Sequence, residues 1–255
     1  MNNHKQTPGV VIPTFKEAET IGPLIRELLK AVPQVKIVVV DDSPDIATVA
    51  AIQGLNLPSV STIHRTEKGG RGSAVLEGIK LLLAAGCNTI AEMDADLSHP
   101  PSQLPALLDE ASAQNLDLLI ASRYIRGSRI ANWPLSRHIF SALANRLARA
   151  TLRIPVADYT NGYRVYSRGA AELIVNTCGK LGKGFIALSE ILVNLYYRGF
   201  RIGETPTVFT NRIRGESALT LSEVCGALVG LYKIARLMRE LRRQSNVRLE
   251  ARNRG

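Results

Sequence analysis

Four short, largely apolar runs in the first half of the chain each end in polar or charged residues, and this pattern constrains the fold most. Gly9-Val10-Val11-Ile12-Pro13 runs into Thr14-Phe15-Lys16-Glu17, and Val35 to Val40 runs straight into Asp41-Asp42. Cys87 to Met93 delivers Asp94-Ala95-Asp96, and Leu116 to Ala121 leads to Ser122-Arg123. Such runs are too short for helices, and near-continuous apolar character marks strands buried on both faces. Between them, Glu17 to Ala31 carries Ile21, Leu24, Ile25, Leu28 and Leu29 at helical spacing. A weaker strand, Ser59 to His64, precedes Lys68-Gly69-Gly70-Arg71-Gly72-Ser73 and a helix through Leu83; a further helix spans Ser102 to Ala113. Alternating strands and helices predict an α/β fold with a mostly parallel sheet covered on both faces. Ligands bind such sheets outside the carboxyl ends of the strands, where these polar residues gather.

Asp94 and Asp96, one residue apart behind a buried strand, are the sharpest chemical signal. Hard divalent cations such as Mg²⁺ or Mn²⁺ take oxygen ligands, keep several waters and share their remaining positions with phosphates. A solvated turn after the strand would also explain the pair taken alone.

Composition narrows the partners. The chain has 255 residues, 45% hydrophobic content and a net charge of +10. That suits one large domain with a short appendage. Cys87, Cys178 and Cys225 show no pair spacing, which argues against a disulfide framework or zinc knuckle and suits a reducing compartment. Met1 to Gln6 has no apolar signal core, and no stretch approaches the roughly 18 to 20 apolar residues of a spanning helix. The expected location is therefore soluble or peripheral. Basic residues crowd the C-terminus: Lys233, Arg236, Arg239, Arg242, Arg243, Arg248, Arg252 and Arg254, against Glu240 and Glu250. A phosphate-bearing substrate or an anionic membrane follows. Aromatics do not interleave with these residues, so nucleic acid is not the expected partner.

The second half is less regular. Arg137 to Arg153 reads as a basic amphipathic helix with Ile139, Phe140, Leu143, Leu147 and Leu152 as its apolar members. Asp158 to Arg164 is a polar turn leading into Val165-Tyr166; Leu188 to Tyr197 is a helix carrying Glu190; Phe200 to Phe209 contains strand-like pieces. Arg212 to Ser217 is a charged loop before a final helix from Leu221 to about Arg243, whose apolar side suits an anionic membrane surface and packing on the domain equally.

In this order the motifs resemble family 2 glycosyltransferases of GT-A (Rossmann-like) fold, nearest the dolichol-phosphate (polyprenyl-phosphate) mannose synthases. The residues that carry the likeness are Val11 to Glu17, Val39 to Asp45, Met93 to Pro100 and Ala121 to Tyr124. It continues through Trp133, Arg137, Asp158 to Arg164, Glu190 and Arg212 to Ser217. The resemblance implies a catalytic domain over 1–220 and a basic amphipathic helix and tail over 221–255, peripheral on the cytoplasmic face of a membrane. It implies inverting transfer of a sugar, mannose from GDP-mannose, to a polyprenyl or dolichyl phosphate. By the same likeness Pro13, Thr14, Phe15, Glu17, Asp41, Asp42, Lys68, Ala95 and Arg212 contact the donor. Asp94 and Asp96 hold Mg²⁺ or Mn²⁺, and Arg123 and Arg137 capture the acceptor phosphate. A membrane-anchoring partner subunit also fits the family pattern.

Alternatives remain at this stage. A UDP-glucose or hexosamine donor, or a carbohydrate hydroxyl acceptor with Asp158 or Glu190 as base, fits the same motifs; His99 is a weaker base candidate, read as a loop residue. A non-catalytic nucleotide-sugar binder would have lost a metal carboxylate or a phosphate-binding arginine, and all are present. Two departures from the family pattern leave sugar and nucleotide open. Asp42 joins Ser43 directly, and Gly215-Glu216-Ser217 is followed by Ala218 rather than lysine.

Overall fold

The computed structural model describes residues 7–67, 69–181, 185–210 and 229–244. The chain order is β1 (Pro8–Thr14), α1 (Ala18–Ala31), β2 (Lys36–Asp41), α2 (Ala47–Gln53), β3 (Val60–His64), α3 (Arg71–Ala84) and β4 (Thr89–Glu92). A 3₁₀ turn (Pro101–Gln103) then runs into α4 (Leu104–Ala113), followed by β5 (Leu118–Ser122), β6 (Arg129–Ala131) and α5 (Leu135–Leu152). The remainder is β7 (Arg164–Ser167), α6 (Arg168–Thr177), α7 (Phe185–Tyr196), β8 (Ile202–Pro206) and β9 (Val208–Thr210), with a C-terminal helix over 229–244.

Seven strands form one sheet in the order β3-β2-β1-β4-β7-β5-β8, and β6 pairs with β9 in a small second sheet. All neighbours in the large sheet run parallel except β7, which is antiparallel to β4 and β5. The reversal of β7 has a functional consequence. The segment before it, Asp158 to Tyr163, opens at the edge where β1, β2, β4 and β5 end.

The apolar strands alternate between two cores, as the two-residue period of a strand requires. Val10, Ile12, Ile37 and Val39 face α1 and α4, packing with Leu24, Ile25, Leu28, Leu104 and Leu107. Val11, Val38 and Val40 face the other way, in the core that holds Val75, Ile79 and Leu82 of α3, Ile174 of α6, and Ile191 and Leu192 of α7. Each fully buried aliphatic side chain contributes roughly 1.5–3 kcal/mol. Helix α3 approaches β1 so closely that a Cβ on Gly78 would sit 2.3 Å from Val11 Cγ2.

The C-terminal helix and α5 use their apolar residues in opposite ways. Ile234, Ala235, Met238 and Leu241 of the former are buried, and Ile234, Met238 and Leu241 complete the core on the α3 face. The apolar side expected at a membrane is thus occupied by packing over 229–244. In α5, Leu135, Ile139, Leu143 and Leu147 point outward, at 75%, 59%, 63% and 45% exposure.

Candidate active site at the carboxyl edge of the sheet

The loop after β1 is fastened to the end of β2. Lys16, in a left-handed conformation (φ 61°), donates its backbone N–H to Ser43 Oγ at 2.7 Å. Asp41 is fully buried beneath it: Oδ1 accepts from Thr14 Oγ1 at 2.8 Å and Ser43 Oγ at 2.7 Å, and Oδ2 lies 3.3 Å from His64 Nδ1. Asp42 ties in the glycine-rich stretch, accepting from Arg65 Nε at 2.5 Å and the Gly70 N–H at 2.9 Å. Of the donor-side candidates, Phe15 is exposed and Pro13 and Glu17 are half-buried, so these three have surface for a ligand. Thr14, Asp41 and Asp42 shape the loop from below.

Asp94 and Asp96 follow β4, and Ala95 between them is buried in the α1-side core. Leu97 next to them also adopts a left-handed backbone (φ 59°). Strain at a β-carbon-bearing residue persists only where surroundings enforce it, and it gathers at functional sites. Asp96 Oδ1 accepts from the Ser98 N–H at 3.1 Å. The Asp94 side chain is 34% exposed, and its Oδ1 accepts from Arg71 Nε at 2.9 Å and Nη2 at 2.7 Å. Its Oδ2 lies 3.3 Å from Nε2 of His99, a ring that is wholly buried between Tyr163 and Phe209. Burial opposes ionisation of Asp94, but the Arg71 guanidinium and His99 outweigh it and hold the carboxyl far below its ordinary range.

Asp158 is arranged differently. It is fully buried, and Arg123 grips it with Nε on Oδ2 and Nη2 on Oδ1, each at 2.8 Å. Backbone N–H groups of Arg123, Thr160 and Asn161 add bonds of 3.0, 3.1 and 3.0 Å. Burial again works against the charge, and the Arg123 bonds prevail, lowering the Asp158 pKa. The Arg123 guanidinium lies over Tyr124, Trp133 and Phe209 at 5.5, 5.5 and 5.3 Å from the ring centroids. Glu190 is buried in α7 and accepts from the Gly179 and Lys180 N–H groups at 3.1 and 3.3 Å.

Lys68 and Arg212 lie outside the described residues; Arg137 falls in the first turn of α5, with its side chain outside them. Two residues of the site, Arg71 and Glu92, carry no role in the sequence reading, and His99, expected as a loop residue or a weak base candidate, is instead a buried ring facing Asp94. Glu92 offered a signal, since a carboxylate inside an apolar strand needs a partner. That partner is Arg71 Nη1, and Glu92 Oε2 also accepts from Tyr166 Oη at 2.7 Å.

Two partly exposed carboxylates stand at the carboxyl edge of a mostly parallel α/β sheet of GT-A type. The family model described as Glycosyl transferase family 2 matches residues 9–174, and the chain belongs to that family. It is 37% identical over 229 residues to the polyprenol monophosphomannose synthase of Mycolicibacterium smegmatis, covering 89% of this chain and 84% of the relative. It is 36% identical over 230 residues to the undecaprenyl-phosphate mannosyltransferase of Micrococcus luteus, covering 88% and 91%. A third relative, the dolichol-phosphate mannosyltransferase of Pyrococcus furiosus, is 32% identical over 242 residues, or 92% of this chain and 65% of the relative. In fold, the chain is similar to glucosyl-3-phosphoglycerate synthase of Mycobacterium tuberculosis, crystallised with Mn²⁺, UDP and phosphoglyceric acid. That likeness has a TM-score of 0.66 at 19% identity, over 91% of this chain and 79% of the other.

Proposed function

We propose that this glycosyltransferase moves mannose, with inversion, from GDP-mannose to a polyprenyl phosphate, using a divalent cation. The observation that carries the reading is the Asp94-Ala95-Asp96 corner, whose first carboxylate is held ionised and partly open at the edge of the sheet. Among the described residues no cluster of three or more His, Cys, Asp or Glu could hold a metal. Two carboxylates are nonetheless the protein share expected for Mg²⁺ or Mn²⁺ that completes its shell with diphosphate oxygens and water. When bound, the ion supplies charge stabilisation for the departing nucleoside diphosphate. Asp94 and Asp96 would hold it, Phe15 and Glu17 would contact the nucleoside, and Lys68 and Arg212 would add positive charge on the donor side.

The fate of Asp158 favours a phosphate acceptor over a hydroxyl. A sugar hydroxyl needs a general base; a polyprenyl phosphate arrives as an anionic nucleophile and needs only capture and alignment. Asp158 is saturated by donors and has a lowered pKa, and both Glu190 oxygens are taken by backbone, so neither is placed to accept a proton. Arg123 and Arg137 are the proposed acceptor-phosphate contacts, with Asp158 fixing the first. The mannosyltransferase relatives support the same substrate pair.

A lipid-linked acceptor requires contact with a membrane. Among the described residues no helix is long and apolar enough to cross one. The outward ridge of Leu135, Ile139, Leu143 and Leu147, with exposed Arg146 and Arg149 beside it, suits an interfacial helix on the anionic cytoplasmic face of a membrane.

The test is a donor screen by mass spectrometry: GDP-mannose, UDP-glucose and UDP-N-acetylhexosamines, each with and without undecaprenyl phosphate in detergent. The expected product is a mannosyl phospholipid formed only from GDP-mannose. Transfer from a UDP-sugar instead would replace the donor, and glycosyl transfer to a co-present free oligosaccharide in preference to undecaprenyl phosphate would overturn the acceptor.

A further inference from the structure

Arg71 opens α3 and turns back across the edge of the sheet to Asp94 and Glu92. The fold makes room for it. A Cβ on Gly162 would lie 2.0 Å from Arg71 Nη2, so this glycine in the turn before β7 is the floor on which the guanidinium rests. Gly70, with φ 86°, sets the preceding turn while its N–H is held by Asp42. An ionised carboxylate has about four acceptor positions. Arg71 fills two of them on Oδ1 of Asp94, and His99 Nε2 faces a third on Oδ2.

We propose that Arg71 is a positioning residue that limits Asp94 to one remaining acceptor position, on Oδ2, and sets a fixed positive charge beside the cation's seat. Asp94 then ligates through a single oxygen. The guanidinium charge offsets part of the attraction that Glu92, Asp94 and Asp96 offer a second cation, so the ion is held weakly until further negative charge arrives with it. The diphosphate of the donor brings that charge. Metal and nucleotide therefore bind as a unit, and the ion alone binds weakly. This inference rests on the reading of Asp94 as a metal ligand.

Mn²⁺ binding to the full chain, followed by electron paramagnetic resonance with no nucleotide, with GDP and with UDP, tests it. Wild type should bind Mn²⁺ alone at least about tenfold more weakly than with one of the nucleotides. Arg71→Met should tighten nucleotide-free Mn²⁺ binding by about tenfold or more and shrink the enhancement that nucleotide gives. Because Arg71→Met strands the buried Glu92 carboxylate, the double variant Arg71→Met/Glu92→Gln is measured alongside, with thermal melts of both. The double variant frees the same Asp94 positions at unchanged net charge, so it should tighten nucleotide-free binding less than Arg71→Met does. Nucleotide-free affinity no tighter than wild type in Arg71→Met or, should that variant not fold, in the double variant would overturn the role of Arg71 while leaving the metal site standing. Absence of Mn²⁺ binding to wild type with either nucleotide would remove the metal site, and this inference with it.

Discussion

Asp94 and Asp158 reach the same edge of the sheet, each joined to an arginine, yet the two pairs have different work. Asp158 is fully buried, accepts bonds from both forks of Arg123 and is closed by three backbone N–H groups. Asp94 keeps a third of its side chain open, and Arg71 crowds onto one oxygen only. A saturated carboxylate orients what it holds; an unsaturated one can still bind something new. On the proposed function, the contrast separates residues that build the acceptor side from those that meet the donor's charge.

The largest expected effect falls on the open corner that Asp94 shares with Asp96. Asp96→Ala, or excess chelator on wild type, should lower mannosyl transfer by at least about a hundredfold, the scale of losing one preorganised electrostatic contact. The melting temperature should stay near wild type, since Asp96 lies in the turn beyond β4 and in neither apolar core. Undiminished transfer in chelator would mean that Asp94 and Asp96 do not serve a metal.

Breaking the closed pair should show up in stability instead. Asp158→Ala leaves the buried Arg123 without its counter-ion, and such losses run to about 3–5 kcal/mol. Urea midpoints would measure it, and a loss under about 1 kcal/mol would place Asp158 with the weak surface pairs. Acid should act on the same link. Because the folded-state pKa of Asp158 is lowered, its contribution is present above the unfolded carboxyl value of about 3.9 and is lost as pH falls through the folded value. Asp94 has the same sign, but its exposure weakens the effect. Stability should therefore fall more steeply below about pH 4 in wild type than in Asp158→Asn. Parallel curves would show that the pair does not govern acid unfolding.

The sequence disclosed one side of this comparison better than the other. The strands and their polar ends were readable because apolar runs and their terminators are local signals. The acidic corner followed from them, as did α1, α3 and α4. The direction of β7 was not readable, since it depends on pairing with β4 and β5 across more than forty residues of chain. Helix α6 went unread although Ser167 caps it by accepting from the Ala170 N–H at 3.2 Å. Arg71 was hidden for a related reason: its task appears only when the start of α3 is folded over β4. Which side of an amphipathic helix faces the core was equally invisible, and the two basic helices answered it oppositely.

That opposition supports the smallest prediction in free energy. Ile139 and Leu143 lie on the exposed ridge of α5, so Ile139→Ser/Leu143→Ser should change folding stability by no more than about 0.5 kcal/mol per site. Ile234 and Met238 fill the core from the C-terminal helix, where truncation to alanine costs on the order of 2–5 kcal/mol. Flotation with anionic liposomes then separates lipid contact from packing. The α5 double variant should lose salt-sensitive binding to vesicles rich in phosphatidylglycerol, while GDP binding by calorimetry stays within about twofold of wild type. If it floats as wild type does, the basic side of the C-terminal helix, with Lys233, Arg236 and Arg239, becomes the membrane contact. In that case the exposed ridge of α5 would need another occupant.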